Sequence, residues 1–313
     1  MQHLIKSSYL LLFLGFTNCS SQKMNDKSSA QNIENQSTDE FNEYWYAGKA
    51  EISAYALEQA RYGEIHQGEA VLIFVTEDFL VEKQVKHEGY SEAPSVSVLK
   101  LNFVRKFPTG IYDYSMMTSS FSPVHQEKQP PVLKISSSSQ EWCGHAWLQL
   151  NKTEEGFAVQ SNSYFEQEGD VQTSLEEAII EDGIWTQLRL NPELVPSGEQ
   201  MVFPSAQYIR MAHLELQAYP AVISTSDYLK EDMPGEGLVE LRVDYPNLGR
   251  RLEIIYTNAF PHEIVGWREV SKTRSGDQTL TTVATKKAQL KSPYWSKNSV
   301  IDAPLRDSLK LKF

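Results

Sequence analysis

Cysteine is nearly absent from this 313-residue chain: there are two, Cys19 and Cys143. Two thiols cannot build the disulfide framework that staples many small exported domains. A basic surplus is missing too. With 29 basic against 41 acidic residues the formal net charge is -12, the opposite of a nucleic-acid binder's electrostatic footprint. Charge-driven adhesion to anionic headgroups is disfavoured for the same reason. Beyond the first sixteen residues no apolar run approaches the roughly 20 residues that a membrane-spanning helix needs. Familiar reaction motifs are lacking as well. There is no Gly-x-Ser-x-Gly elbow, and Gly48-Lys49-Ala50 has neither the upstream glycine nor the hydroxyl of a phosphate-binding loop. His262-Glu263-Ile264-Val265-Gly266 opens like a zinc-binding helix motif but has glycine where the second histidine belongs. No cofactor and no metal site is expected.

What is present begins with an address. Lys6 precedes an apolar run over 9–16 (YLLLFLGF), which has the length of a signal-peptide core. The run ends in Phe16-Thr17-Asn18-Cys19. This is similar to a bacterial lipobox, whose cysteine becomes the acylated first residue, although Phe16 and Asn18 stand where Leu and a small residue are usual. An ordinary secretory signal with an incidental cysteine is the alternative. Residues 20–40 carry Met24, Ala30 and Ile33 as their only apolar side chains. Such a stretch cannot bury enough surface to offset its ordering entropy. The expected organisation is a signal peptide over 1–18, a lipidated disordered tether over 19–40 and a single β-rich domain over 41–313. Cys19 is the expected lipid anchor, the membrane the expected partner through its acyl chains, and the outer membrane the expected location.

The body reads as sheet. Residues 70–74 (AVLIF) are strongly apolar. Over 97–107 (SVLKLNFVRKF), Leu99, Leu101, Phe103, Arg105 and Phe107 fall on one face and Val98, Lys100, Asn102, Val104 and Lys106 on the other. Residues 111–114, 157–160, 238–245 and 252–256 are also strand-like and bounded by turn residues. The βαβ alternation of a parallel fold is absent. One helix stands out over 175–189. Ser174 and Glu177 have capping-box spacing, Ile180, Ile184 and Leu188 recur every four residues, and Asn191-Pro192 forms a stop. A short terminal helix is expected within 305–311. The fold class expected is mostly β: a large antiparallel curved sheet, half-barrel-like, with one covering α-helix.

The candidate reaction site is Glu141, Cys143 and His145. If 141–150 is one strand, these share a face with Trp147 and Gln149, while Trp142, Gly144, Ala146, Leu148 and Leu150 form the core face of a central strand. Residues two apart on a strand sit roughly 6.5–7 Å apart, too far for the contact a thiol and its base require. A structural Cys143 is therefore the favoured reading, with a thiol or hydrolase site as the alternative. Trp147, Tyr112, Tyr114 and Met117 are candidates for contacting an apolar ligand, with core packing as the competing role. The acidic group Glu166, Glu168 and Asp170 reads as a solvated strand end turning at Gly169.

The stretches YWYAGKAEISAYALEQARYGEIHQGEAVLIFVTEDF, TGIYDYSMMTSSFSPV, SSSSQEWCGHAWLQLN and FPHEIVGWRE resemble an uncharacterised group of exported bacterial lipoproteins often labelled septum formation inhibitor Maf. The Ser-x-Ser-Pro-Arg-Arg loop of the Maf pyrophosphatases does not occur here, so that activity does not carry over. The strand-rich plan with one helix is similar to LolA/LolB-like half-barrels. The resemblance implies a cell-envelope lipoprotein that binds an apolar ligand, a lipid or an envelope protein partner on a curved sheet, without nucleic acid.

Overall fold

Alternating segments separated by turn residues fold back on one another, and a chain with many of them in succession builds an antiparallel meander. The computed structural model describes residues 39–125, 131–273, 276 and 278–312. The expected signal peptide, Cys19 and nearly all of the tether lie outside the described residues. Asp39 and Glu40, expected at the tether's end, instead form the first turn of helix α1 (Asp39–Trp45).

Two meanders follow. The first runs through β1 (Ala50–Arg61), β2 (Glu64–Leu80), the short β3 (Val85–Lys86) hooked onto β2, β4 (Ser95–Thr109), β5 (Tyr112–Pro123), β6 (Lys134–Glu141), β7 (Gly144–Lys152), β8 (Gly156–Ser163) and β9 (Asp170–Glu176). The chain then passes through β10 (Ile179–Ile180), helix α2 (Glu181–Leu190), β11 (Gly198–Phe203) and helix α3 (Ala206–Ala212). The second meander comprises β12 (Tyr219–Asp227), β13 (Leu238–Tyr245), β14 (Arg250–Thr257), β15 (Ile264–Lys272) and β16 (Thr279–Ser292), before a terminal turn of helix α4 (Leu305–Ser308).

β16 pairs with β1 and so joins the two meanders into a 16-stranded sheet. Every pairing is antiparallel except the short one between β10 and β11. A twisted sheet of this width curls, and this one is curved without closing. The mostly-β, curved-sheet expectation is met. The alternation over 97–107 is met residue by residue, with Leu99, Leu101, Phe103, Arg105 and Phe107 all buried.

The helix differs from expectation in extent and placement. Residues 170–176 pair with β8 in unbroken register, Asn162 with Asp170 through Gly156 with Glu176. Cross-strand pairing therefore overrides the local capping-box signal at Ser174, and the helix starts at Glu181 without a side-chain cap. Ile184 and Leu188 keep their spacing, and Asn191 ends the helix in extended backbone as its following proline demands. All ten residues of α2 are buried. The helix packs against the inner face of the curved sheet, with Trp185 beside Trp267 and Phe103. α3, not anticipated from sequence, covers the inner face of β5 and β6. A second apolar cluster forms there, with Ile135, Leu148, Leu150, Phe157 and Val159 under Ala206 and Ile209.

Gly183 permits a close approach of Val132 to α2. A Cβ there would fall inside the van der Waals shell of Val132 Cγ2. Gly183→Ala gains up to about 1 kcal/mol of helix propensity but adds an overpacking cost of about 1–3 kcal/mol. A net loss of about 1–2 kcal/mol in urea unfolding is expected. Val132→Ala introduced into that variant should restore part of the loss, and an unchanged midpoint for Gly183→Ala alone would refute the packing argument.

Candidate functional site

The strand expected over 141–150 is two strands. β6 ends at Glu141, Trp142 and Cys143 form the hairpin turn, and β7 starts at Gly144, with Glu141 paired to Gly144 and Gln140 to His145. Three expectations are corrected by this. Trp142 is 71% exposed rather than core. Cys143 is exposed in the turn rather than structural in a strand. β7 lies third from the β9 edge rather than at the centre. Leu148 and Leu150 do point into the core, and Ala146 is half-buried. Gly144 does permit close approach, since a Cβ there would lie 2.7 Å from the Tyr164 ring.

The turn also parts Glu141 from Cys143 and His145. The alternation of β6 turns Glu141 inward with Ile135, Ser137 and Ser139, all buried. His145 is exposed. No hydrogen bond joins Cys143 to either residue among the described ones. Glu141 instead receives a hydrogen bond from Arg210 Nη2 of α3, at 2.9 Å. The same guanidinium lies 3.6 Å from Glu168 Oε1 and stacks over the Phe165 ring, 4.0 Å from its centroid. His213, left-handed at φ 55 as it caps α3, places Nδ1 2.5 Å from Glu168 Oε1. Glu168 is thus part of this quartet rather than a solvated strand end, although the turn at Gly169 is present, with φ 58.

These groups flank a cavity of about 350 Å³ between α3 and the inner face of β6–β9. Its apolar wall is Met116, Leu148, Val171, Ile209, Leu214 and Leu216; Ser139, Glu168, Arg210 and His213 supply polar atoms. Three buried atoms around it have no protein partner: Ser139 Oγ, Arg210 Nε and Glu141 Oε2. Buried polar atoms normally find partners, so this corner offers both donor and acceptor positions to an occupant. Among the described residues no three metal-ligating side chains converge, and no helix is long and apolar enough to cross a membrane.

The ligand candidates fall in different places. Trp147 borders this cavity and also a hollow on the opposite face. Met117 is 42% exposed on the outer face, and its neighbour Met116 lines the cavity, as strand alternation requires. Tyr114 is buried and stacked on Phe107 at 4.9 Å. Its hydroxyl lies 2.7 Å from that of Tyr62 and 3.1 Å from Arg61 Nη2, and burial raises its pKa. Tyr112 donates to the Tyr62 hydroxyl at 2.9 Å.

No family model matches the chain, and neither a curated protein nor a solved structure shows significant similarity to it.

The fold fixes α3 through a buried acid. Asp182, in the first turn of α2, accepts the Ala206 amide at 2.8 Å. Burial pushes its pKa from the ordinary 3.8 up to about 7, with Glu181 adding to the shift. The folded state therefore binds this proton more tightly than the unfolded chain. The associated stability is fully present below pH 3.8 and is lost as pH rises through about 7. Asp182→Asn keeps the acceptor and removes the charge. Between pH 4 and 8, wild type should lose melting temperature relative to the Asn variant; parallel curves would show that Asp182 is not the titrating group.

The quartet was not legible in sequence. Arg210 and Glu141 are 69 residues apart, and His213 and Glu168 are 45 apart. The usable local signal was the turn at Gly169, which placed Glu168 at the end of a hairpin.

Proposed function

We propose that this protein is a non-enzymatic cell-envelope lipoprotein that holds a small amphipathic molecule in the cavity beneath α3. The observation that carries the reading is one wall of Met116, Leu148, Val171, Ile209, Leu214 and Leu216 facing Ser139 and Arg210, whose buried Oγ and Nε lack protein partners. A predominantly apolar pocket with a few convergent polar groups is the usual form of a small-molecule site, and about 350 Å³ lies within the usual range of about 300–1,000 Å³. The helix and tryptophans that fill the rest of the concavity favour a small occupant over a large lipid. The envelope address rests on the Phe16–Cys19 motif.

Native mass spectrometry of the purified chain should reveal a small-molecule adduct. The neutral amphipathic fluorophore N-phenyl-1-naphthylamine should brighten on binding. Val171→Trp, which fills the cavity from β9, should abolish the brightening while leaving the melting temperature close to wild type. Equal brightening in both proteins, with no adduct in either, would sink the reading. Acylation is checked separately with a clickable fatty acid, whose incorporation should be lost in Cys19→Ser.

A further inference from the structure

Three parts of the sheet's outer face have apolar cover. Leu309 packs on Ala50, Ile52 and Ala54, Tyr228 and Met233 on Ile255 and Val265, and Leu133 on Phe79 and Val98. Among the described residues, no buried apolar cluster reaches the outer face of β6–β9. That face has an unusual composition for a chain of net charge -12. In register across six strands, from β4 to β9, stand Asn102, Ser119, Ser136, Gln149, Gln160 and Gln172. None carries a charge. The adjacent row reads Ser138, Trp147, Asn162, Asp170. At Trp147 the surface dips into a hollow of about 420 Å³ bounded by Ser138, Gln140, His145, Asn162 and Asp170.

We infer that this face is a carbohydrate-binding site for a neutral oligosaccharide or polysaccharide, with Trp147 as its platform. The indole supplies a large apolar face with a polar edge, which suits the C–H face of a pyranose ring. Amide side chains carry two donors and one acceptor oxygen each, and sugar hydroxyls need both kinds of partner. Ser119 is buried, so the open part of the row runs from Ser136 to Gln172 over three inter-strand spacings, about 14 Å at roughly 4.8 Å each, which suits a short chain of sugars better than one ring.

The side chains are already ordered. Ser119 Oγ donates to Asn102 Oδ1 at 2.7 Å, Gln149 Nε2 to Asn151 Oδ1 at 2.6 Å, and Gln160 Nε2 to Asn162 Oδ1 at 3.3 Å. Such preorganisation reduces the entropy lost on binding. The lack of charge along the row disfavours an anionic polymer, and a single aromatic among amides is unlike the apolar, arginine-rich centre of a protein interface. This site lies on the opposite face of the sheet from the cavity beneath α3, with Trp147 bordering both, and the inference does not rest on that cavity.

Native affinity electrophoresis of the full chain in gels containing dextran, mixed-linkage β-glucan, galactomannan or hydroxyethylcellulose tests the inference. At least one of these should retard wild type, and alginate, a charged polysaccharide, should not. Trp147→Ala should weaken the retardation at least tenfold. Gln160→Ala, which borders neither hollow, should weaken it severalfold, while Val171→Trp should leave it unchanged. Unaltered mobility in all four neutral gels would overturn the inference. So would equal retardation in alginate, or retardation that survives both Trp147→Ala and Gln160→Ala. Self-association that disappears in Trp147→Ala, with no retardation by any glycan, would assign the face to a second copy of the chain instead.

Discussion

Glu181→Ala should destabilise the protein by about 3–5 kcal/mol, the cost of breaking a buried ion pair from one side. Glu181 is 1% exposed. It accepts from Arg250 Nη1 at 2.5 Å, from Arg250 Nη2 at 2.7 Å and from the Tyr245 hydroxyl at 2.5 Å. A second buried carboxylate, Glu269, pairs with Arg105 and lies 3.5 Å from Arg250 Nη2. Burial pushes the Glu269 pKa up, but the two arginines outweigh it and hold the carboxyl below its ordinary range. The cluster therefore balances two cations against two anions in the filled concavity. Removing Glu181 leaves Arg105 and Arg250 sharing one carboxylate, with an uncompensated positive charge in the core. Urea unfolding followed by tryptophan fluorescence reads the loss. The double variant Glu181→Met with Arg250→Met should recover most of it, because apolar replacement of a whole buried pair is often nearly neutral. A loss under about 1 kcal/mol for Glu181→Ala would show that the pair is not holding α2 in the concavity.

Trp267→Ala should cost a similar amount, about 3–5 kcal/mol, by deleting a fully buried aromatic. Trp267 on β15 meets Trp185 of α2 edge-on at 5.3 Å, Phe103 of β4 at 5.1 Å and Tyr55 of β1 at 4.9 Å. One side chain thus ties the helix to strands from both meanders. Its Nε1 has no hydrogen-bond partner, so the loss is packing and apolar burial rather than a broken hydrogen bond. Trp267→Phe should accordingly lose much less. Trp142→Ala provides the contrast within the same melting experiment. At 71% exposure it should stay within about 0.5 kcal/mol of wild type, as surface changes usually do. If Trp142→Ala costs as much as Trp267→Ala, the hairpin turn at residues 142–143 is wrongly placed.

That contrast shows where sequence reading failed. The two-residue turns that join strands usually announce themselves with Gly, Asn or Asp in left-handed backbone. Tyr62-Gly63 does so, with φ of 54 and 82. Trp142 and Cys143 are not among the left-handed residues, and the stretch around them alternates acceptably as one strand. A two-residue break there reassigns every side chain. Glu141 turns inward to Arg210, Trp142 goes to solvent, and Cys143 sits exposed in the turn. At Ser174 the local capping signal was real, but pairing with β8 offered that backbone a full ladder of hydrogen bonds.

The sequence by itself determined the sheet-rich class, the two alternating faces of residues 97–107, the turn at Gly169 and the stop at Asn191-Pro192. Each of these is a local preference of period two, of side-chain chemistry or of backbone dihedral, written in consecutive residues. The tertiary structure alone decided that β16 pairs with β1 to join the two meanders and that α2 packs inside the curve of the sheet. It also decided that Arg105 meets Glu269, 164 residues away, and that Glu141, Glu168, Arg210 and His213 converge. Pairing and burial are sums over distant segments. An isolated charge such as Arg105 on an apolar strand face has no sequence-visible reason to be buried until its counter-charge is brought to it by the fold.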